Sequence, residues 1–347
     1  MPALHELTCV VHVHSTHSDG TGTVPEIARA AARSDVDVVL LTDHDTLAAL
    51  RRGEEGWHGS VLVLVGEEVS PRGRDHFLAF GVERVVDRRQ DSAGICASVA
   101  AAGGFGFAAH PFSQGSAVFK RPGAMPWTDI DCAGLEGMEV WSFVTDTAER
   151  LRSWREIAGF IARPEQTLDH APERNLAEWD RLGARRRVVG IAGIDAHQIG
   201  LRVLGRVPVR LMSYARSFRH LRTHVLCEEL PTGELEHDRE QVYSALRSGR
   251  CYMAVDSLAP GRGFEFSADG VVMGGEVPAG AALTFRVRTP RPAALRLLRD
   301  GAEVAASPGA AELEHATDEP GVYRAEARLE AHGRERTWIL SNPIYVR

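Results

Sequence analysis

A chain of 347 residues, 44% of them apolar, is long enough for one large domain and a smaller second one. Its formal net charge of −7 provides no electrostatic basis for a general nucleic-acid-binding surface. The five cysteines are scattered and never spaced as CxxC, which argues against a disulfide framework or a thiolate zinc site and favours a reducing compartment. No signal-peptide pattern and no apolar run of roughly 20 residues is visible, so we expect a cytoplasmic protein that does not enter a membrane.

The first two thirds of the chain alternate short β-rich runs with helical segments. LTCVVHV predicts a strand, and TVPEIARAAARS predicts a helix that opens with Thr23 and Glu26 at capping-box spacing. VDVVLLTD is apolar throughout, as a strand of a parallel sheet covered on both faces requires. Further strands are predicted in SVLVLVGEEVS, HFLAFGV, GFGFAAH, GMEVWSF and RRVVGIAGIDAH. Strands that alternate with helices are typical of a parallel α/β sheet or barrel.

The rest of the chain follows two other patterns. Residues 142–186 are mostly helical and polar, and we interpret them as an insertion in a barrel domain spanning residues 1–262. The helix DREQVYSALRSG within that domain ends in Gly249 as a C-terminal cap. Residues 263–347 read as alternating strands with a hairpin at Asp300–Gly301, which predicts a small antiparallel, sandwich-like β domain. Two roles are compatible with this domain, namely covering one side of the barrel or forming an oligomer.

Histidines and carboxylates occur mainly where the predicted strands end. In VVHVHSTHSDG, His12 and His14 lie on one face of the first strand because alternate side chains of a strand share a face. The further members of this set are Asp19, His44, Glu67 or Glu68, His76, His110, Asp195 and His197. Active sites of parallel barrels lie at the carboxyl ends of the strands, so we expect these groups to converge. At roughly three to four protein ligands per ion, six histidines and three carboxylates predict two or three metal ions.

Each of these fragments alone has a simpler interpretation. A lone histidine most often packs or forms a hydrogen bond, and we assign no role to His58, His220 and His315. Aspartate or histidine at a strand end can cap the following helix, so only the joint occurrence at one rim predicts a metal site. His17 matches neither the HxH face nor the aspartate position, and we retain it as a candidate for contacting substrate.

The ordered series HxH, SDG, TDHD, GxE, His, AHP and GxDAH resembles the PHP (polymerase and histidinol phosphatase) superfamily of metal-dependent hydrolases over roughly residues 8–200. The resemblance implies a distorted (β/α)7 barrel that holds a di- or trinuclear metal centre. It assigns the ligands as His12, His14, Glu68 and Asp195 for one ion, Glu68 as a bridge with His76 and His110 for a second, and Asp19, His44 and His197 for a third. It also implies that Glu67 faces away. Val10 stands where the family often has an aspartate, which removes a hydrogen bond to a ligand rather than a ligand.

Three further segments, NLAEWDRLGARRRVVGIAGIDAHQ, DREQVYSALRSGRCYMA and SNPIYV, look like the CehA/McbA branch of this superfamily. Together with the added β domain, this second resemblance extends over nearly the whole chain. The named members of the branch hydrolyse aryl carbamates, but the branch is functionally diverse. The branch resemblance therefore informs the architecture more than the substrate.

The mixed imidazole and carboxylate set suits Mn²⁺, Zn²⁺ or Fe²⁺. Such ions would lower the pKa of a bridging water, so that hydroxide is the nucleophile, and would polarise the scissile group. No GxSxG or HExxH motif is present, and we assign the catalytic roles to Glu68, Asp195 and His197. Cations that could hold phosphate oxygens are Arg202, Lys120 and Arg121, for each of which solvated loop charge is the simpler interpretation.

We therefore expect a hydrolase of class EC 3.1 that cleaves a phosphoester in a small organic or nucleotide substrate. The first alternative is a carbamate, ester or amide hydrolase of the CehA/McbA type, for which a pocket lined by Trp141, Phe143 and Trp154 would be evidence. The second is an inactive, metal-stabilised binding module, against which the complete ligand set argues. Small molecules are the expected partners, and we expect no stable nucleic-acid binding.

Overall fold

The computed structural model describes residues 4–118, 123–198, 200–203, 207–210 and 212–347, and the side chains of residues 199–211 lie outside that description. The longest helix in these ranges, Leu235–Ser248, has 14 residues. None of the described helices combines the length and the apolar character that crossing a membrane requires.

Strands and short helices follow one another along the described chain. The strands are β1 (His5–Val13), β2 (Val38–His44), β3 (Gly56–His58), β4 (Val61–Val69), β5 (Phe77–Phe80), β6 (Phe105–Ala108), β7 (Gly137–Ser142), β8 (Val189–Gly193), β9 (Gly200–Val203), β10 (Val207–Arg210), β11 (Leu221–Cys227), β12 (Cys251–Val255), β13 (Glu265–Ala268), β14 (Val271–Val272), β15 (Glu276–Val277), β16 (Leu283–Arg299), β17 (Ala302–Thr317), β18 (Gly321–Ala331), β19 (Arg334–Ser341) and β20 (Ile344–Val346). The helices are α1 (Val24–Ala32), α2 (Ala48–Arg51), α3 (Ser92–Ala101), α4 (Phe143–Arg150), α5 (Trp154–Ala162), a 3-10 helix (Pro164–Gln166), α6 (Glu173–Gly183), α7 (Tyr214–Ser217) and α8 (Leu235–Ser248).

The chain divides into two compact units. The N-terminal unit comprises Thr8–Leu168 and Ala192–Arg222, and the C-terminal unit comprises Met1–Leu7, Asp169–Ile191 and Thr223–Arg347. This division differs from the sequence-based boundary after residue 262, because Met1–Leu7, Asp169–Ile191 and residues 223–262 fall in the same unit as the C-terminal strands.

The N-terminal unit contains the strands whose ends carry the histidines and carboxylates. β1, β2 and β4 form a parallel ladder, and β6 pairs in parallel with β7. β5 is antiparallel to both β4 and β6. The chain after β8 continues beside β1, where the backbone N–H groups of Ile194 and Ala196 donate to the carbonyls of Val11 and His12. The mixed α/β fold is thus confirmed. The (β/α)7 barrel stays a prediction, since β5 interrupts the regular alternation.

Three local predictions are confirmed. Glu26 accepts hydrogen bonds from the backbone N–H and the hydroxyl of Thr23 at the start of α1, as a capping box requires. Gly249 ends α8 in the left-handed conformation, with φ 73°. Asp300 and Gly301 have φ values of 50° and 83° between β16 and β17, which is typical of the two-residue hairpin turn that their sequence predicts.

The C-terminal unit is mainly antiparallel. β16 pairs with β13, β17 and β18, and β18 pairs with β19 and β20. β12 joins this ladder through β19, with Tyr252 opposite Ser341. Tyr252 also packs in one apolar core with Phe264, Phe285 and Trp338. This pairing explains why the residues of β12 fall in the same unit as the C-terminal strands.

Two cysteines that are far apart in the chain lie side by side in the N-terminal unit. The Sγ atoms of Cys96 in α3 and Cys132 are 3.5 Å apart, and both residues are buried. The scattered spacing of cysteines in the sequence carries no sign of this contact, because it depends on how α3 packs.

We expect a buried polar network in the C-terminal unit to contribute to the free energy of unfolding in a pH-dependent way. His224 lies between two carboxylates, with Nδ1 2.6 Å from Glu6 Oε1 and Nε2 3.2 Å from Asp256 Oδ2. Burial lowers the pKa of His224, but Asp256 and Glu6 together raise it above its ordinary value. Burial raises the pKa of Glu6, but His224 and Tyr252 lower it below its ordinary value.

We expect His224→Gln to destabilise the protein by about 3 kcal/mol at pH 6, because it removes one partner of a buried charge pair. A histidine with a raised pKa contributes stability that is present below about pH 6.5 and is lost as the pH rises through the folded-state pKa. The difference from the wild type should therefore shrink by pH 9. Urea unfolding at both pH values measures it, with His315→Gln on β17 as the control. A difference that grows with pH contradicts the prediction.

Candidate metal centre

Strand direction brings the predicted groups to one rim of the N-terminal unit. His44 is the last residue of β2, and Glu68 is the last but one of β4. His110 and Asp195 each follow a strand by two residues, after β6 and β8. His76 precedes β5 instead. Because β5 is antiparallel to its neighbours, its first residue lies at the rim where the parallel strands end.

Glu68 is the centre of this arrangement. It is 1% exposed and its two carboxylate oxygens face five imidazole rings. The distances to Oε2 are 3.2 Å from His12 Nε2, 3.4 Å from His14 Nε2 and 2.9 Å from His44 Nδ1, and the distances to Oε1 are 2.7 Å from His76 Nδ1 and 3.3 Å from His110 Nε2.

Three overlapping groups have ligand atoms that all lie within 4.8 Å of one another. They are His14, Asp19, His44 and His197, then His12, His14 and Asp195, and finally His12, Glu68 and His110. These groups largely match the ligand sets that the family resemblance implies. They differ in that His14 also belongs with Asp19, and in that His76, whose Nδ1 is 2.7 Å from Glu68 Oε1, belongs to none of the three groups.

The backbone is strained at three of these positions. His12, His110 and Asp195 have φ values of 68°, 29° and 56°, in the left-handed region that residues other than glycine rarely adopt. At His12 the strained residue interrupts the register between β1 and β2, with a shift between Val11 and Val13. Simple strand alternation predicted that His12 and His14 share a face, but a bulge aims both rings at Glu68. Strain of this kind is concentrated at functional sites.

The electrostatics of the cluster favour positive charge. Burial raises the pKa of Glu68, but His12 and His76 outweigh it and hold that pKa well below its ordinary value. Burial likewise opposes ionisation of Asp195, whose pKa His12 and His14 hold far below normal. Burial disfavours the charged form of His197, yet Asp19 and Asp195 raise its pKa to about 9. The carboxylates therefore favour the protonated forms of His12, His44, His110 and His197. Burial and His197 instead lower the pKa of His14 to about 4.

The donor set fits divalent transition-metal ions. Several ring and carboxylate atoms are buried without a hydrogen-bond partner among the described residues, namely His12 Nε2, both ring nitrogens of His14, Glu68 Oε2 and His110 Nδ1. A buried polar atom left in this way costs about 1–3 kcal/mol. Imidazole and carboxylate are the ligands that Mn²⁺, Fe²⁺ and Zn²⁺ accept, so bound ions would use these atoms.

The loop that carries Asp19 is held at both sides. Asp43 accepts hydrogen bonds from the backbone N–H and the hydroxyl of Ser15, at 2.7 and 2.6 Å, and from the hydroxyl of Ser18 at 2.6 Å. Tyr214 donates to the carbonyl of His14 at 2.7 Å and accepts from two backbone N–H groups farther along the loop. These contacts keep Asp19 beside His197, where Oδ1 is 3.1 Å from Nε2.

Tyr214→Phe should weaken metal binding without unfolding the protein. The variant leaves the N–H group of Gly22 without its acceptor, which costs about 1–3 kcal/mol and loosens the loop before helix α1. The N–H group of Thr21 keeps only its second acceptor, the carbonyl of His197. We expect a lower affinity for Mn²⁺ in titration calorimetry. Tyr323→Phe, which removes one hydrogen bond to Glu319 in the C-terminal unit, is the control that should bind Mn²⁺ as the wild type does.

Three residues at this site escaped the sequence analysis. Glu139 in β7 places Oε1 2.7 Å from His12 Nδ1. Its signal was a single charged residue inside the apolar run GMEVWS, which is unusual in a buried strand. Asp43 stood next to His44 in TDHD and was overlooked beside it. Tyr214 carried no sequence signal, because it lies 200 residues from the carbonyl that it binds.

The candidate substrate-binding residues are placed differently. The ring of His17 pairs with Glu54, with Nε2 2.6 Å from Oε2. Lys120 and Arg121 lie outside the described residues, and Arg202 lies in β9, whose side chains are not described. The side chain of Glu67 accepts a hydrogen bond from the backbone of Val86, away from the rings that surround Glu68.

The three aromatic residues considered for an aryl pocket do not form one surface. Trp141 and Phe143 are 2% and 0% exposed, so both belong to the core. Trp154, at the start of α5, is 69% exposed. A pocket lined by all three is therefore not present.

Comparisons with known proteins find similarity over part or most of the chain. No protein-family model matches. A segment of 79 residues, 21% of this chain, is 43% identical to a phosphoribosyl 1,2-cyclic phosphate 1,2-diphosphodiesterase of Eggerthella lenta. The segment spans only 30% of that relative's length.

A solved two-domain protein from Bacteroides vulgatus is described as containing a predicted PHP-like metal-dependent phosphoesterase. It matches with a TM-score of 0.46 and 16% identity over 97% of this chain and 95% of its own. An amidohydrolase from Chromobacterium violaceum matches with a TM-score of 0.31 and 19% identity over 55% of this chain and 87% of its own. The similar 79-residue segment agrees with the expected resemblance to the PHP superfamily, and these matches do not identify the CehA/McbA branch.

Proposed function

We propose that this chain, a relative of the PHP-like metal-dependent phosphoesterases, hydrolyses a phosphoester bond in a small organic or nucleotide substrate with two or three divalent ions. One observation carries the proposal, namely that six histidines and three carboxylates, Glu68 among them, lie close together at one rim. Several of them have buried, unpartnered ligand atoms. A structural role alone does not account for so many unsatisfied donors and acceptors at one place.

Some of the candidate ligands are fully buried and others are partly exposed. The exposed ones indicate the side from which substrate enters. His12, His14 and Glu68 are fully buried, whereas Asp19 is 58% exposed at its side chain. His44 and His197 are exposed at 28% and 25% of their side chains. The group formed by His14, Asp19, His44 and His197 would therefore meet the substrate first, and the deeper residues would hold ions out of reach of solvent.

Different residues of the chain would have different roles in the reaction. Divalent ions held here would supply Lewis-acid polarisation of the phosphoryl group and activation of water at neutral pH. Glu68, between the rings of five histidines, would keep neighbouring ions together, and Asp195 would link them to the His197 side. Asp43 and Tyr214 would hold the Asp19 loop in place through their hydrogen bonds. Arg202, Lys120 and Arg121 are proposed to bind phosphate oxygens, and His17 to contact the substrate.

The test is a hydrolysis screen of purified protein with parallel metal analysis. We expect metal-dependent turnover of p-nitrophenyl phosphate or of nucleotides with added Mn²⁺, and none with chelator. Naphthyl carbamates and carboxyl esters are assayed beside them, because turnover of these alone would establish the carbamate or ester alternative. Full metal loading with no turnover of any of these substrates would instead support the binding module.

A further inference from the structure

We propose that Glu139 is a positioning residue that sets two metal-binding histidines at once, by selecting the ring nitrogen that His12 presents and by holding the strained backbone of His110. This inference rests on the proposed metal centre. It concerns a fully buried residue on β7, a strand that supplies none of the nine predicted ligands.

Both carboxylate oxygens of Glu139 are used, each by a different strand end. Oε1 is 2.7 Å from His12 Nδ1, and Oε2 accepts the backbone N–H of His110 at 2.6 Å. Glu139 is 0% exposed, so no water competes for either oxygen. A carboxylate only accepts, and His12 must therefore carry its proton on Nδ1.

This tautomer leaves the other ring nitrogen of His12 available as a ligand. Nε2 of His12 faces Glu68 Oε2 at 3.2 Å and Asp195 Oδ1 at 3.6 Å, and it has no hydrogen-bond partner among the described residues. Metal-binding histidines commonly donate their second ring N–H to a carboxylate, which fixes the tautomer and orients the ring. Glu139 is therefore placed to fix the tautomer and the orientation of the His12 ring.

The second hydrogen bond acts on backbone conformation. His110 has a φ of 29°, which is unfavourable for a residue with a side chain. The short hydrogen bond from its N–H to Glu139 holds this conformation, in which His110 Nε2 lies 3.3 Å from Glu68 Oε1. One buried carboxylate thus aligns a ligand in β1 and a ligand that follows β6.

Gly193 leaves the space that the Glu139 side chain occupies. A Cβ atom at Gly193, the last residue of β8, would overlap Oε1 of Glu139. Gly193 stands two residues before Asp195, so the same segment supplies a predicted ligand and the opening that Glu139 needs. A methyl group at this position would displace the carboxylate from His12.

The variant Glu139→Gln tests whether metal binding depends on the two hydrogen bonds of Glu139 or only on a buried side chain of this size. The glutamine's amide oxygen can accept from one of the two donors, but its NH2 group then faces the other partner. Either one hydrogen bond is lost, or His12 moves its proton to Nε2 and that nitrogen can no longer bind a metal. Glu67→Gln is the matched control. Glu67 is equally buried, lies beside Glu68 on β4, and accepts a backbone N–H from Val86 at 2.7 Å. A general effect of altering a buried carboxylate would appear in both variants.

The experiment is titration calorimetry with Mn²⁺ on the wild type, Glu139→Gln, Gly193→Ala and Glu67→Gln, with circular dichroism to verify folding. We expect Glu139→Gln and Gly193→Ala to bind Mn²⁺ about 10–100-fold more weakly than the wild type, and Glu67→Gln to bind it unchanged. Wild-type affinity in Glu139→Gln, or an equal loss in Glu67→Gln, overturns the proposal. A wild type that binds no Mn²⁺, Zn²⁺ or Fe²⁺ overturns the proposed function as well, so the two failures are distinguishable.

A second measurement needs no variant and decides the matter if Glu139→Gln fails to fold. In ¹⁵N spectra of the Zn²⁺-loaded wild type, we expect His12 to carry a proton on Nδ1 and none on Nε2. The opposite tautomer would overturn the proposal, because Glu139 would then have no ring N–H to accept.

Discussion

Replacing His14 or Asp195 by alanine is expected to abolish phosphoester turnover and to lower the bound metal content, while the fold stays largely intact. Both side chains belong to groups of ligand atoms within 4.8 Å of one another, and His14 belongs to two such groups. Losing a ligand to an ion that stabilises charge in the transition state removes several kcal/mol, which corresponds to a rate loss of about 10³-fold or more. Steady-state kinetics and metal analysis of the purified variants measure the two effects.

The control for these variants is His58→Ala. His58 lies at the end of β3 in the same unit and bonds the backbone carbonyl of Glu54, outside every one of the three groups. Its loss should leave turnover and metal content unchanged. Full activity in both His14→Ala and Asp195→Ala would rule out the proposed centre, whatever the control shows.

Removing the metal should cost both activity and stability. Ions that bind only the folded protein stabilise it by about 2.7 kcal/mol per site when the free ion is present at 100 times its Kd. We therefore expect a chelator to abolish turnover and to lower Tm, and added Mn²⁺, Zn²⁺ or Fe²⁺ to restore both. Differential scanning calorimetry before and after dialysis against chelator measures the change.

Mg²⁺ provides the contrast in this experiment. It prefers oxygen ligands in octahedral geometry, whereas six of the nine candidate ligands here are imidazoles. Added Mg²⁺ should therefore restore little of the lost stability. The same Tm with and without chelator would show that no ion stabilises the fold. The buried histidine and carboxylate pairs around Glu68 would then have to satisfy one another.

Features that depend on a few neighbouring residues could be predicted from the sequence. The capping box of Thr23 and Glu26, the cap at Gly249 and the Asp300–Gly301 hairpin each act within four residues, so their signals are complete in the local sequence. The order of the histidine and aspartate motifs indicated a superfamily, because ligands at strand ends keep their order along the chain.

Features that depend on distant contacts were decided by the tertiary structure. Glu139 reaches His12 across 127 residues, and Tyr214 reaches His14 across 200. Strand pairing joins β12 to β19 and so places residues 223–262 with the C-terminal strands. The sequence by itself therefore determined the local turns, the mixed α/β character and the residue types at the rim. The tertiary structure decided which carboxylate orients which ring, because strand order and register set those distances and no local pattern encodes them.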